Sequence, residues 1–271
     1  SRGPHRRVVM ETVIGSVTLP GPVMTASGTA GYGTELAPFM DLADLGAMVC
    51  KSLAPYEWPG NPPPRLHPTP QGMMNAVGLQ GPGVQFWLDH VVGDLVAEGA
   101  SVVASIWGRS VDVYAQAAEL LAAAPPEVVA VEVNLSCPNL EGGGMFALDP
   151  EASAGAISTV RAATQLPFGA KLSPNSEDIV AVARAVSEAG ADWVVLTNTV
   201  WGAGIDIETR RPQLSGVVGG YSGRAIKPIA MRCVWEVATA LPDLPIVGCG
   251  GVTHGRDVVE YLLAGASAVA M

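Results

Sequence analysis

Basic residues are scarce in this 271-residue sequence, and it contains no long apolar run. Fifteen Lys and Arg stand against 25 Asp and Glu, which leaves a formal net charge of −10. Proteins that bind nucleic acid usually carry a basic face, so nucleic acid is not expected as a partner. No apolar stretch reaches the ~18 residues of a membrane-spanning helix, so no membrane segment is expected.

Cysteine and histidine are also rare. The four cysteines show neither CxxC nor a small-domain disulfide spacing, and the four histidines show no HxH or HxxxH spacing. No metal site is therefore expected. Residues 1–9 are short and basic without the apolar core of a secretion signal, which favours a cytoplasmic protein. We expect Met10 to be the natural start, with residues 1–9 a remnant or extension before it.

Glycine (32) and proline (22) are frequent, and eight short apolar runs stand between them, each ending in a polar residue or glycine. Runs that are apolar throughout are typical of strands buried on both faces. The runs are Pro22–Ala26, Ala47–Lys51, Ser101–Ile106, Val129–Asn134, Phe168–Leu172, Trp193–Asn198, Pro245–Gly250 and Ser267–Met271. Helical periodicity lies between several of them, at Val111–Ala124, Pro150–Thr164, Ser176–Ala189, Arg224–Ala240 and Gly255–Ala264.

Eight strands alternating with helices predict an α/β fold of the (β/α)8 TIM-barrel type, as a single domain over residues 10–271. A doubly wound open sheet is the alternative. No eighth helix follows the last run, and we expect the natural protein to continue beyond it. Three connections are long, Ser52–Gly81, Leu135–Asp149 and Val200–Gly223, and all follow strand ends, so we expect them to wall and cover one pocket at the C-terminal face. The Gly-rich Leu135–Asp149 loop is predicted to be mobile and to close over a ligand.

Four features at predicted strand ends could carry chemistry. Cys137, in the motif NLSCPN, is placed for use as a base or nucleophile, although a buried inert thiol is the commoner fate of a free cysteine. Lys51 and Lys171 end two apolar runs, which indicates either one shared anionic occupant or two lysines reaching the surface. Gly250–Gly251 precedes a helix and could bind phosphate through backbone N–H groups, or form only a tight turn.

Together these motifs resemble the class 1 dihydroorotate dehydrogenases. The resemblance extends from PVMTASGTAGYG at 22–33 to VGCGGV at 247–252, and includes NAVGLQGPG at 75–83 and NLSCPN at 134–139. The EGGGMF segment at 141–146 is similar to the 1B subgroup. The resemblance implies oxidation of (S)-dihydroorotate to orotate in pyrimidine (UMP) biosynthesis. Cys137 would be the general base and FMN the hydride acceptor. It also implies a partner subunit with FAD and a [2Fe–2S] cluster that delivers electrons to NAD⁺, in a homodimer or heterotetramer.

The resemblance also implies roles for individual residues. Those implied to bind dihydroorotate or orotate are Lys51, Asn75, Ala76, Val77, Gly78, Leu79, Asn134, Asn139, Asn198 and Thr199. Those implied to surround FMN are Ala26, Ser27, Lys51, Ser52, Ser105, Asn134, Lys171, Thr197, Gly223, Gly250 and Gly251, with the three glycines on its phosphate. Ser105 departs from the family, which commonly has asparagine there.

Two other functions stay open. One is a related FMN barrel reductase, either a dihydropyrimidine dehydrogenase or an enzyme acting on uridine in tRNA. The former typically have histidine where this chain has Asn139, and the net charge argues against the latter. The other is a barrel without catalytic activity that binds a nucleotide or serves as a scaffold.

Overall fold

The computed structural model describes residues 10–136 and 144–271. In this part of the chain, eight short parallel strands form one sheet with the spatial order β1-β8-β7-β6-β5-β4-β3-β2. The strands are β1 (Val23–Met24), β2 (Met48–Val49), β3 (Val102–Ile106), β4 (Val128–Asn134), β5 (Phe168–Leu172), β6 (Trp193–Leu196), β7 (Ile246–Cys249) and β8 (Ala268–Ala270). All eight predicted strands are confirmed, with ends shifted by up to two residues.

The sheet closes into a barrel between β1 and β2. Met24 forms a parallel bridge with Ala47, and the Gly46 N–H donates to the Val23 carbonyl at 2.7 Å. Each strand is therefore next to its neighbour in sequence, which is the order of a (β/α)8 barrel. An open doubly wound sheet, the alternative interpretation of the sequence, has a different strand order and is excluded.

Seven α-helices occur within the described ranges. They are α1 (Val84–His90), α2 (Val92–Ala97), α3 (Val111–Leu120), α4 (Pro150–Ala163), α5 (Ile179–Glu188), α6 (Lys227–Ala240) and α7 (Gly255–Leu263). The five predicted helices are all present. The predicted helix Val111–Ala124 ends in a 3₁₀ turn at Leu121–Ala123, and the predicted helix Arg224–Ala240 begins with a 3₁₀ turn at Arg224–Ile226. Of the helices in residues 10–136 and 144–271, none is long and apolar enough to cross a membrane.

Alternating side chains on each strand build two cores. Val131 and Val133 of β4 point outward and pack with the helices, whereas Ala130 points inward. The inward cluster also contains Val103, Val195 and other small or β-branched side chains, which fit the narrow interior of an eight-stranded barrel. A hairpin of Thr12–Ile14 and Val17–Leu19 adds apolar side chains to this inner cluster.

Two of the long connections fold against each other. Leu66–Thr69, Gly72–Asn75, Val200–Ala203 and Val218–Ser222 form a four-stranded antiparallel sheet, in which Asn75 pairs with Gly220. A smaller antiparallel pair, Ile205–Asp206 with Arg211–Pro212, lies within the Val200–Gly223 connection. These strands and helices α1 and α2 were not among the sequence predictions. The Leu135–Asp149 connection lies partly outside the described residues, so its proposed closure stays a prediction.

Candidate active site at the mouth of the barrel

The inward positions of the strands change from apolar to polar toward their C-terminal ends. On β4, Ala130 is followed two residues later by Glu132, and on β5, Gly169 is followed by Lys171. Because side chains alternate along a strand, these polar groups point to the same side as the inner core. Ser105 on β3, Asn134 at the end of β4 and Thr197 after β6 also follow the inward-facing positions of their strands, and all are buried.

Glu132 and Lys171 form a buried ion pair on neighbouring strands. The Lys171 Nζ lies 3.5 Å from the Glu132 Oε1, and only 6% and 5% of their respective side chains are exposed. Burial acts to lower the pKa of Lys171, but the charge of Glu132, its hydrogen bond with the ammonium and the nearby Cys249 together outweigh burial, so the pKa is raised. Lys171 is therefore held charged inside the barrel rather than reaching solvent. Glu132 was missed from the sequence, where a single acidic residue inside an apolar run was the available signal.

A chain of hydroxyl groups continues from this pair toward β1. The Ser105 hydroxyl donates to the Glu132 carboxylate at 3.3 Å and lies 2.8 Å from the Ser52 hydroxyl. The Ser52 hydroxyl in turn lies 3.2 Å from that of Ser27. Three predicted site residues, Ser27, Ser52 and Ser105, thus belong to one polar network with Glu132. Hydroxyl groups can donate or accept, so this network can adapt to a ligand of either kind.

A second set of polar groups joins β4 to β6 through side-chain amides. Asn134 donates from Nδ2 to the Ser52 hydroxyl at 3.2 Å, and its Oδ1 accepts from Asn198 Nδ2 at 3.0 Å. The Asn198 Oδ1 accepts from the Thr199 N–H at 2.8 Å. Three of the residues predicted to bind a pyrimidine are therefore brought together. Amide groups match the alternating donors and acceptors of such a ring.

Lys51 lies beside the predicted substrate segment 75–79. Its Nζ donates to the Gln80 carbonyl at 2.6 Å, and the Tyr32 hydroxyl contacts the same oxygen. The segment itself is anchored by the Trp58 indole, which donates to the Gly78 carbonyl at 2.9 Å. Burial and the nearby Arg65 charge lower the pKa of Lys51 to about 8. A bound anion would offset both effects, because it favours the charged ammonium.

Gly223, Gly250 and Gly251 converge at the start of α6. All three have positive φ, of 102°, 135° and 67°. A Cβ on Gly251 would lie 2.8 Å from the Lys227 backbone nitrogen and 2.9 Å from the Gly223 carbonyl oxygen. Side chains are therefore excluded, and backbone atoms approach closely near a helix N-terminus. This is the geometry in which backbone N–H groups bind phosphate.

Two buried hydroxyl groups at the mouth have no hydrogen-bond partner within the described residues. They are the Thr197 Oγ1 and the Ser136 Oγ, after β6 and β4. Buried polar groups are nearly always paired in folded proteins, so these hydroxyls indicate that a polar ligand belongs here. The residues present fit FMN. The carbonyl oxygens and ring nitrogens of FMN can accept hydrogen bonds from the protein's hydroxyl, amide and ammonium groups, and its phosphate can bind at Gly223, Gly250 and Gly251.

Cys137 and Asn139 lie outside the described residues, and their predicted roles stay predictions. The chain leading to them is positioned by the Leu135 N–H, which donates to the Lys171 carbonyl at 3.3 Å. Cys50, Cys233 and Cys249 are buried, as expected for core residues. Burial raises the pKa of Cys50 to about 12, so this thiol is not suited to act as a base.

Comparison with known proteins adds an independent line of argument. A family model described as dihydroorotate dehydrogenase matches residues 9–271. Three similar proteins carry the name dihydroorotate dehydrogenase B (NAD(+)), catalytic subunit. The Desulforudis audaxviator protein is 47% identical over 266 residues, which is 98% of this chain and 86% of that protein. The Trichlorobacter lovleyi protein is 47% identical over 96% and 85% of the two chains, and the Bacteroides thetaiotaomicron protein 43% over 94% and 84%.

Proposed function

This chain belongs to the dihydroorotate dehydrogenase family, and from that premise we propose that it is the catalytic subunit of an NAD⁺-linked enzyme. It oxidises (S)-dihydroorotate to orotate in pyrimidine biosynthesis. The observation that carries the proposal is the barrel mouth, which holds a buried ammonium, paired amides and two buried hydroxyl groups without a partner among the described residues. This set suits a flavin and a planar anionic pyrimidine together, and the similarity covers nearly the whole chain.

The substrate is an anion with a ring of amide groups, and the proposed binding residues match both features. Lys51 supplies the positive charge for the carboxylate. Asn134 and Asn198 supply amide donors and acceptors for the ring, and their mutual hydrogen bond at 3.0 Å holds them in one orientation. The segment 75–79 forms the neighbouring wall beside Lys51. Groups positioned in this way reduce the entropy lost when the substrate binds.

FMN, when bound, accepts the hydride that leaves C6 of dihydroorotate. The chain's own residues bind FMN and place a positive charge and hydrogen-bond donors beside it. Lys171 stays charged because of Glu132 and supplies a positive charge to the flavin site. Gly223, Gly250 and Gly251 let backbone N–H groups reach the phosphate, and the Thr197 hydroxyl offers a further hydrogen bond.

Cys137 is proposed to take the proton from C5 of dihydroorotate. Removing this proton by a separate base divides the oxidation between the protein and the cofactor. The residue follows the end of β4, where barrel enzymes place catalytic groups. We further propose that the Leu135–Asp149 loop covers the bound substrate and excludes water during the reaction.

The relatives are named as catalytic subunits, which supports a partner subunit for this chain. We propose that this partner carries FAD and a [2Fe–2S] cluster and passes electrons to NAD⁺. A homodimer of this chain, or a heterotetramer with the partner, is the assembly proposed. A cytoplasmic location stays a prediction.

An anaerobic visible spectrum of the FMN-loaded protein tests the proposal. We expect dihydroorotate to bleach the flavin band and dihydrouracil to leave it unchanged. Cys137→Ala should retain FMN but lose bleaching by dihydroorotate, whereas Cys233→Ala, in a buried thiol on α6, should behave like the parent. Bleaching by dihydrouracil alone would instead identify a reductase of uracil-type bases. Normal bleaching in Cys137→Ala would refute the assignment of the base.

A further inference from the structure

Trp107, directly after β3, carries a buried indole N–H that makes no hydrogen bond to any described residue. Only 1% of the residue is exposed, and its Nε1 has no partner among residues 10–136 and 144–271. Leaving a buried donor unpaired costs a folded protein free energy, and such groups are uncommon and call for an explanation, of which a ligand is one. The role of this residue is not covered by the function proposed above.

The position of Trp107 places it at the barrel mouth. It is two residues beyond Ser105, so it follows the inward-facing side of β3. Its backbone N–H donates to the Leu53 carbonyl at 3.0 Å, which fixes it to the segment that follows β2. The indole ring packs with Ala54, Trp58 and Leu79 in a small cluster separate from the two main cores.

Two indole rings therefore lie beside the segment proposed to bind the pyrimidine. The rings of Trp58 and Trp107 meet edge to face, with centroids 5.9 Å apart. The Trp58 N–H is already used, because it holds the Gly78 carbonyl at 2.9 Å. The Arg109 guanidinium lies 5.1 Å from the Trp58 ring centroid, which further restrains that ring. The Trp107 ring is thus held in place by its neighbours, while its indole N–H donates to no described residue.

We propose that Trp107 is a further substrate-binding residue, whose indole N–H donates to an oxygen of the pyrimidine. The acceptor is the carboxylate or a ring carbonyl of dihydroorotate and orotate, because oxygens of both kinds accept hydrogen bonds. The inference rests on the proposed function, since it needs a pyrimidine next to the segment 75–79. It adds a donor that the resemblance to the family does not imply.

Indole ¹H–¹⁵N NMR of the FMN-loaded protein observes this donor directly. Six tryptophan side chains give six resonances, and that of Trp107 is assigned through its side-chain connectivities. On adding orotate, we expect a downfield shift of the Trp107 indole proton, because it gains a hydrogen bond. The Trp58 indole proton should shift less, since its bond to Gly78 is already made.

Substitution supplies the second measurement. Trp107→Phe keeps an aromatic ring and removes the N–H, and we expect it to weaken orotate binding by about tenfold, as for the loss of one hydrogen bond to a charged or polar ligand. FMN affinity should be unchanged. Trp235→Phe is the matched control, because 62% of this residue is exposed, and it should alter neither affinity.

The outcomes separate the inference from the function on which it rests. Wild-type protein that binds orotate without a shift of the Trp107 resonance, or equal orotate affinity in Trp107→Phe, overturns the role of Trp107 alone. Weaker FMN binding in Trp107→Phe with orotate affinity unchanged also overturns it, since the acceptor then belongs to the cofactor. Wild-type protein that binds no orotate overturns both. The NMR measurement stands even where the variant fails to fold.

Discussion

Changing Glu132 to glutamine removes one charge from the barrel interior while preserving the size of the side chain. Glutamine can still accept the hydrogen bond from Ser105, so the hydroxyl network keeps its geometry. Lys171 loses the carboxylate that its ammonium contacts at 3.5 Å. The substitution therefore tests whether this pair is charged and whether it stabilises the barrel.

The expected loss follows from the burial of both groups. Their side chains are 5% and 6% exposed, so solvent cannot replace the missing partner. Removing one member of a buried ion pair typically costs about 3–5 kcal/mol. The separation of 3.5 Å is long for a charge-assisted bond, which favours the lower end. We expect the free energy of unfolding of the apoprotein to fall by about 3 kcal/mol near pH 7.

The loss should depend on pH in a defined direction. In the parent, the pKa of Lys171 is raised, so its stabilising contribution is present below the unfolded-state pKa and is lost as pH rises through the folded-state value. In Glu132→Gln, burial acts unopposed and should lower that pKa. At low pH Lys171 of the variant is charged and unpaired, so the variant shows its full loss of stability. This loss diminishes as pH approaches the unfolded-state lysine pKa of about 10.4, because Lys171 is then neutral in the folded variant. The difference between parent and variant should therefore shrink toward that pH.

Urea-induced unfolding followed by circular dichroism, at pH values from about 7 to 10, measures these differences. The double variant Glu132→Gln with Lys171→Met should recover most of the lost stability, because no buried charge is left unpaired. A loss below about 1 kcal/mol near pH 7 would contradict the buried ion pair, given what such pairs cost to break. A loss that does not change with pH would contradict it equally.

Three further predictions follow from the site. Raising pH through about 8 should weaken orotate binding, by up to about tenfold per pH unit, because Lys51 loses its charge there; Lys51→Gln should flatten this dependence in a calorimetric titration. Gly251→Ala should weaken FMN binding at least about tenfold, since its Cβ would lie 2.8 Å from the Lys227 nitrogen; in Gly99→Ala, also at positive φ but with its nearest neighbour at 3.5 Å, the FMN affinity measured by fluorescence should be unchanged. Tyr114→Phe removes the hydroxyl that donates to the Asn134 carbonyl at 2.7 Å, and the free energy of unfolding by urea should fall by about 1–2 kcal/mol.

The strands could be predicted from the sequence because burial on both faces determines which residue types a strand can contain. A strand packed on both faces must be apolar throughout, so runs such as Phe168–Leu172 are visible without any knowledge of their neighbours. Helices α3 to α7 were visible for a similar reason, since one apolar face recurs every three to four residues. The short helices α1 and α2 were not predicted, because Val84–His90 and Val92–Ala97 contain less than two turns each.

The antiparallel sheet over the mouth depends on partners that are far apart in the chain. Gly72–Asn75 pairs with Val218–Ser222, and the Asn75 side chain donates to the Gly220 carbonyl 145 residues away. Neither segment shows a local alternation that identifies it as a strand. The prolines at 62–64 predicted only an extended path. Only the tertiary structure could therefore show that two of the long connections pair with each other.

The same distinction holds for the candidate site. Local sequence determined which polar residues stand at strand ends, and resemblance assigned roles to Lys51, Asn134 and Lys171. Sequence alone could not show that Glu132 pairs with Lys171, or that the Trp107 indole has no partner in the part of the chain that the structure describes, because hydrogen bonding of a buried group depends on atoms brought near by other strands. The barrel's closure decided these contacts, because it brings the alternating side chains of separate strands into one shared interior, where the partners of each buried charge and donor come from other strands.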